Sequence, residues 1–247
     1  MTLEGKVALV TGGSRGIGAA SARALADAGA DVAIGYATSA EKAHVVVADI
    51  EARGRRGAAY RADQGDPGQV TNLIDAVARD FGRLDVLVNS AGVSVRGMIG
   101  DRHDDAAARD NLYDVNLGGV VAAIRSAAKV IAQDGRIITI GSVIAARAGF
   151  TGMADYAATK AAIVGYSRGA ARDLGPRGIT VNVIQPGAVA TDMNPPEGDF
   201  ADEQRALKAL GRFGRPEEIA AGVVFLAGPG AAFVTGTVLT MDGGYLA

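Results

Sequence analysis

Val7-Ala8-Leu9-Val10-Thr11-Gly12-Gly13-Ser14-Arg15-Gly16-Ile17-Gly18 is the stretch from which the architecture follows. Its first four residues are apolar without alternation, the pattern of a strand covered on both faces, as in a parallel sheet. Residues 16–28 then read as a helix closed by Gly29. Glycines between a strand and a helix permit positive φ and let the backbone approach a pyrophosphate, whose charge the helix N-terminus stabilises. A plain strand-to-helix turn would use them too. The G-x-x-x-G-x-G spacing differs from the G-x-G-x-x-G dinucleotide fingerprint, and no Gly-Lys-Ser/Thr ends it as in a P-loop.

Outward from this unit the alternation repeats. Apolar runs at 31–34, 58–62, 85–89, 136–140 and 180–184 predict strands, and the segments 39–53, 67–81, about 104–132 and 155–174 between them predict helices. After an irregular stretch, 188–202, come a helix from Pro216 through Phe225 and a final strand at 238–241. The pattern predicts an α/β fold: a Rossmann-like, doubly wound parallel sheet of about seven strands with helices on both faces, binding ligands at the carboxyl ends of the strands. A closed (β/α)8 barrel needs eight strands, and only six are counted by Ile184. No linker, repeat or low-complexity block intervenes. One domain, 1–247, is expected.

The 247 residues suffice for a substantial core, and 49% hydrophobic content excludes a disordered chain. No cysteine and only two histidines, His44 and His103, leave no thiolate nucleophile, disulfide or credible zinc cluster, so no metal is expected. Both histidines read as ordinary solvated residues. A formal net charge of -2 with interspersed signs offers no nucleic-acid footprint. The N-terminus reaches a strand without a signal-peptide pattern, and Gly228 and Pro229 interrupt the apolar run at 223–226 far short of membrane-spanning length. A soluble cytoplasmic protein acting on a small molecule is expected.

Chemistry enters at Asp155-Tyr156-Ala157-Ala158-Thr159-Lys160. On a helix, Tyr156 and Lys160 share a face. A neighbouring ammonium favours the phenolate, bringing a group that normally titrates near ~10 closer to neutral pH. Such a pair suits proton transfer at an alcohol oxygen. On many helices, however, the same spacing is only a solvated lysine beside a packed ring.

Taken together, these motifs resemble the short-chain dehydrogenase/reductase family nearly end to end. T-G-x-x-x-G-x-G is carried by Thr11, Gly12, Gly16 and Gly18, and N-x-A-G by Asn89-Ser90-Ala91-Gly92. Asn116 stands in Asp114-Val115-Asn116-Leu117 and Ser142 follows the fifth strand in Ile140-Gly141-Ser142. Tyr156 and Lys160 form Y-x-x-x-K, Pro186-Gly187 follows the sixth strand, and Thr235-Gly236 with Asp242-Gly243-Gly244 closes the pattern. The resemblance implies a dinucleotide-binding part at about 1–140 and a catalytic and substrate-lid part at about 141–247. It implies four catalytic residues. Ser142 would bind the substrate oxygen, Tyr156 would be general acid in reduction and base in oxidation, Lys160 would lower the tyrosine pKa and hold the nicotinamide ribose, and Asn116 would hold a proton-relaying water.

Cofactor contacts implied by the resemblance are Gly12, Ser14, Arg15, Gly16, Ile17 and Gly18 in the loop; Tyr36, Ala37, Thr38 and Ser39 after the second strand; Asp63 and Gln64; Asn89, Ala91 and Gly92; Tyr156 and Lys160; and Pro186, Gly187, Val189 and Thr191. Asp63 would contact adenine or merely cap a turn, and Thr191 would reach the carboxamide or be a turn residue. No acid follows the second strand to bind the adenosine ribose hydroxyls and repel a 2'-phosphate, whereas Arg15, Thr38 and Ser39 are placed to contact one, so NADP(H) is expected over NAD(H). Ser94, Val95, Val143, Ile144, Phe150, Met153, Ala188 and Met193 would line a mainly apolar substrate pocket, with Arg96 and Arg147 either on the surface or turned toward an acidic substrate.

Gly211-Arg212-Phe213-Gly214-Arg215-Pro216-Glu217-Glu218 and the tail after it resemble the 3-oxoacyl-[acyl-carrier-protein] reductases. The implied activity is NADPH-dependent reduction of a ketone or 3-oxoacyl thioester. The alternatives are a non-catalytic NADPH sensor or ligand-sequestering protein on the same fold and a methyltransferase, which Y-x-x-x-K disfavours. A homotetramer, or a dimer, is implied as well.

Overall fold

The computed structural model describes residues 3–102 and 105–247, so His103 lies outside the described residues. Seven strands, β1 (Val7–Thr11), β2 (Asp31–Tyr36), β3 (Gly57–Arg61), β4 (Val86–Asn89), β5 (Arg136–Ile140), β6 (Thr180–Pro186) and β7 (Val238–Met241), form one sheet in the order β3-β2-β1-β4-β5-β6-β7. Every pairing is parallel.

Period-2 geometry explains the unalternating apolar runs. Ala8 and Val10 of β1, Val86 and Val88 of β4 and Ile138 of β5 face one helical layer. Their neighbours Leu9, Leu87 and Ile137 face the other. Both faces of each central strand are dry, so most positions are apolar, and a buried polar one such as Asn89 finds a partner on the next strand. The first layer holds α1 (Gly16–Asp27), α2 (Ala40–Glu51) and α8 (Pro216–Ala227); the second holds α3 (Pro67–Phe81), α5 (Gly119–Val130) and α6 (Ala154–Leu174). Asp66 starts α3 by accepting hydrogen bonds from the Gly68 and Gln69 amides before Pro67 at the first helical position. Gly82, at φ 77°, ends it.

Two expected elements come out differently. The single helix of about 104–132 is α4 (Ala106–Tyr113), a π-helical turn at Asp114–Gly118, and then α5. Part of the stretch 188–202 is ordered as α7 (Asp199–Ala206). Both departures lie beside the cleft where the winding of the sheet reverses, between β1 and β4. In the described residues no helix is long and apolar enough to cross a membrane.

Candidate active site

The carboxyl ends of β1, β4, β5 and β6 open into a cleft of about 1020 Å³. Its floor is main chain in close approach. Gly12, at φ 63°, lies so near Ala91 that a Cβ there would stand 2.6 Å from the Ala91 Cα, and a Cβ on Gly18 would run into the Gly12 carbonyl oxygen. Only glycine fits these two places, and the bare backbone they leave ends at the N-terminus of α1, the local chemistry that accepts a pyrophosphate.

All expected cofactor residues except Asn89 line this cleft, as do Ser142 and the pocket residues Ser94, Val143, Ile144, Phe150, Met153, Ala188 and Met193. Asn89 is placed beneath the floor. It is 1% exposed and donates from Nδ2 to Thr139 Oγ1 on the adjacent strand, so its side chain helps hold β4 to β5. Val95 is likewise not among the lining residues. Asp63 both faces the cleft and caps its own turn, accepting from the Gly65 amide at 2.9 Å. No carboxylate follows β2: Tyr36-Ala37-Thr38-Ser39 line the rim, and Asp31, at the other end of the strand, accepts from the Arg56 amide.

Ser142 caps a 3-10 turn at Val143–Ala145, its Oγ accepting from the Ile144 amide at 3.2 Å. Accepting there leaves the Ser142 O–H free to donate, and its nearness to the Tyr156 phenol opposes the rise in that group's pKa. Tyr156 and Lys160 occupy successive turns of α6, with the Lys160 Nζ 5.7 Å from the Tyr156 ring centroid. Lys160 is 6% exposed and donates to the Ile140 carbonyl at 3.2 Å. This bond ties α6 to the end of β5, two residues before Ser142.

Burial is the main influence on both titrating groups. It pushes the Tyr156 phenol above its ordinary value, against the opposing hydrogen bond from Ser142, and it pushes the Lys160 ammonium down to about 8. The expected lowering of the tyrosine by lysine is therefore not what governs the phenol here. A lysine brought toward neutrality attracts a phenolate less strongly, and Ser142 is the contact that favours the ionised form.

Asn116 lies in the π-helical turn, fully buried and behind the cleft wall. Its Oδ1 accepts from the Val93 amide at 2.9 Å, and its Nδ2 donates to the Val93 carbonyl at 2.9 Å and to Thr159 Oγ1 at 3.3 Å. Both amide N–H groups are thus spent on protein. Asn116 thereby fastens the loop after β4 to α6. Asn116→Ala should lower stability by about 2–3 kcal/mol, through three lost bonds and an orphaned Val93 amide. Chemical denaturation would measure it.

α7 borders the cleft through Phe200, Ala201 and Gln204. Phe200 packs edge-on against Phe150 with centroids 5.0 Å apart, and the Arg96 guanidinium stacks 3.8 Å from the Phe200 ring. Asn194 and Gln204 exchange two amide hydrogen bonds at 3.0 and 2.9 Å. Arg147 turns to the C-terminal segment instead, donating to the Tyr245 carbonyl. Sequence reasoning did not single out Asn111, Gln204, Lys208 and Tyr245, which also line the cleft. They come from turns and helices that no motif marks.

The match to known proteins agrees with this geometry. The family model described as enoyl-(acyl carrier protein) reductase matches residues 12–246. A short-chain dehydrogenase from Burkholderia cenocepacia J2315, solved in complex with NADP, has a TM-score of 0.97 at 50% identity over 100% of both chains. The chain belongs to the short-chain dehydrogenase/reductase family. Among other relatives of this reductase, the 3-oxoacyl-[acyl-carrier-protein] reductase FabG of Staphylococcus aureus (strain Mu50) is 41% identical over 242 residues, 97% of each chain. The cyclic-di-GMP-binding biofilm dispersal mediator protein of Escherichia coli K12 is 42% identical over 241 residues, 98% of this chain and 97% of its own. As a short-chain dehydrogenase/reductase the protein is an oxidoreductase.

Proposed function

We propose that the protein reduces a ketone or 3-oxoacyl thioester to the alcohol with NADPH, Tyr156 donating the proton. The observation that carries this is the convergence of Ser142, Tyr156 and Lys160 on one wall of a cleft whose opposite end is a glycine cradle. The bound cofactor supplies the hydride.

As the carbonyl oxygen gains negative charge, Tyr156 O–H delivers a proton to it and Ser142 O–H donates a hydrogen bond to it. The phenol raised by burial stays protonated at neutral pH, which suits an acid. Lys160, with Nζ 5.7 Å from the Tyr156 ring centroid, stabilises in its ammonium form the phenolate left by the transfer, and any water relay past Asn116 would run over its main chain. The division of labour we assign falls near residue 140, with dinucleotide binding before it and catalysis and substrate contact after it.

For the cofactor, the acid-free rim after β2 and Arg15 in the loop support NADP(H), and relatives solved with NADP point the same way. Arg15→Ala should weaken NADPH by about tenfold, as loss of a charge-assisted hydrogen bond does, and leave NADH nearly unchanged. Fluorescence titration separates the two, and equal losses would undo the assignment.

Self-association as a tetramer or dimer is supported by the exposed Phe225 and Phe233 and by β7 standing at the edge of the sheet. A cytoplasmic setting, where nicotinamide cofactors are recycled, accords with this reading.

The ligand-sequestering reading has one relative behind it, named for binding cyclic-di-GMP. The test is NADPH oxidation against a panel with a short 3-oxoacyl thioester and simple ketones. Turnover on the thioester supports acyl reduction, and turnover on ketones alone moves the protein to another reductase branch. Tight NADPH binding with no turnover on the panel counts against the catalytic reading and for sequestration.

A further inference from the structure

A carboxylate of the lid segment stands between two cations at the edge of the dinucleotide cleft. Asp192 Oδ2 lies 2.9 Å from Lys42 Nζ on α2 and 3.8 Å from Arg15 Nη1 in the glycine loop. Three segments far apart in sequence meet there, and Ser14, Arg15, Lys42, Thr191 and Asp192 line a second recess of about 390 Å³ opening beside the main cleft. Arg23 also borders the recess but is engaged by Asp49 at 2.7 Å. The side chains of Arg15 and Lys42 are each 57% exposed and that of Asp192 is 55% exposed, so these ion pairs are weak and easily exchanged. A carboxylate brings one negative charge, whereas a phosphate monoester brings nearly two and three acceptor oxygens. The hydrogen bond from Lys42, with the charges of Lys42 and Arg15, holds the Asp192 carboxyl below its usual range.

We propose that Lys42 and Arg15 form a two-cation clamp for the 2'-phosphate of NADP(H), and that Asp192 occupies this clamp as an internal competitor in the cofactor-free protein. The clamp rests on the NADP(H) reading above and adds to it Lys42, a helix residue outside any glycine motif, and a lid carboxylate that opposes binding. NAD(H) carries a hydroxyl at this position, too weak an acceptor to displace Asp192 from two cations. Discrimination between the cofactors would then depend on Lys42 as well as on Arg15.

Calorimetric titration of NADPH, NADH and the non-redox probe adenosine 2',5'-bisphosphate tests this on the unmodified protein, Lys42→Ala, Asp192→Asn and the double variant. Lys42→Ala should weaken NADPH and the bisphosphate by roughly tenfold and NADH by less than about twofold. Asp192→Asn should tighten NADPH by roughly two- to fivefold without tightening NADH, and this gain should shrink when Lys42 is also removed. Equal losses for both cofactors in Lys42→Ala, or an unchanged NADPH affinity in Asp192→Asn, overturn the clamp while the NADP(H) reading stands. Failure of the unmodified protein to bind NADPH overturns that reading and the clamp together.

Discussion

Tyr156→Phe is expected to cut turnover by about 10² to 10⁴, the range typical of removing a positioned general acid, while NADPH affinity changes little. The ring remains, so its packing on α6 and its contact with Lys160 persist. What disappears is the proton donor that stands beside Ser142. Ser142 then faces the nascent alkoxide alone, and one hydrogen bond stabilises that charge less well than a bond and a proton transfer. Stopped-flow binding of NADPH beside steady-state turnover makes the split visible. Undiminished turnover would remove Tyr156 from the chemistry, and equal loss of binding would make it a structural residue.

Lys160→Met should also abolish most turnover, yet at pH 7 it should make the cofactor-free protein more stable. Lys160 is buried and, among the described residues, donates to the Ile140 carbonyl and forms no ion pair with a carboxylate, so folding must desolvate an ammonium with little compensation. Its pKa accordingly falls from 10.5 to about 8. The sign follows from proton counts: between pH 8 and 10.5 the unfolded chain holds the proton that the folded chain has released, so stability rises with pH through this window. Below pH 8 the burial penalty is present in full. Methionine removes it, at the cost of one unpaired carbonyl, for a net gain of about 1–3 kcal/mol near pH 7 that shrinks as pH approaches 10. Urea denaturation of both proteins at several pH values checks this, and a gap that does not narrow with rising pH would show that Lys160 is not the titrating group.

The strands were legible because burial on both faces leaves a strand few polar positions, so Val7 to Val10 and Val86 to Val88 announced themselves. The cleft was legible because close main-chain approach demands glycine at fixed spacing. Where the sequence misled, tertiary contact outweighed local preference. Nothing in Asp114-Val115-Asn116-Leu117-Gly118 forbids a continuous α-helix, and the π-helical turn is recognised only once Asn116 is seen bonded to Val93 and Thr159. The short, strongly acidic α7 has no apolar stripe to reveal it, and it is held through Phe200 on Phe150 and Arg96. Asn89 matched a motif as a ligand contact, but motif order does not say which way a side chain faces, and at the end of β4 it faces Thr139. Lys42 and Asp192 were invisible for the same reason: their meeting is across 150 residues.

The glycine-paved floor bears on how such a protein can diverge. At Gly12 and Gly18 any added carbon collides with neighbouring main chain, so mutation has no foothold under the ligand. Heritable variation in what is accepted must therefore accumulate at the margins, in side chains such as Arg96, Met193 and Phe200 that stand above the floor and are exposed. One unalterable base with a replaceable margin lets a lineage change its diet without renegotiating its fold.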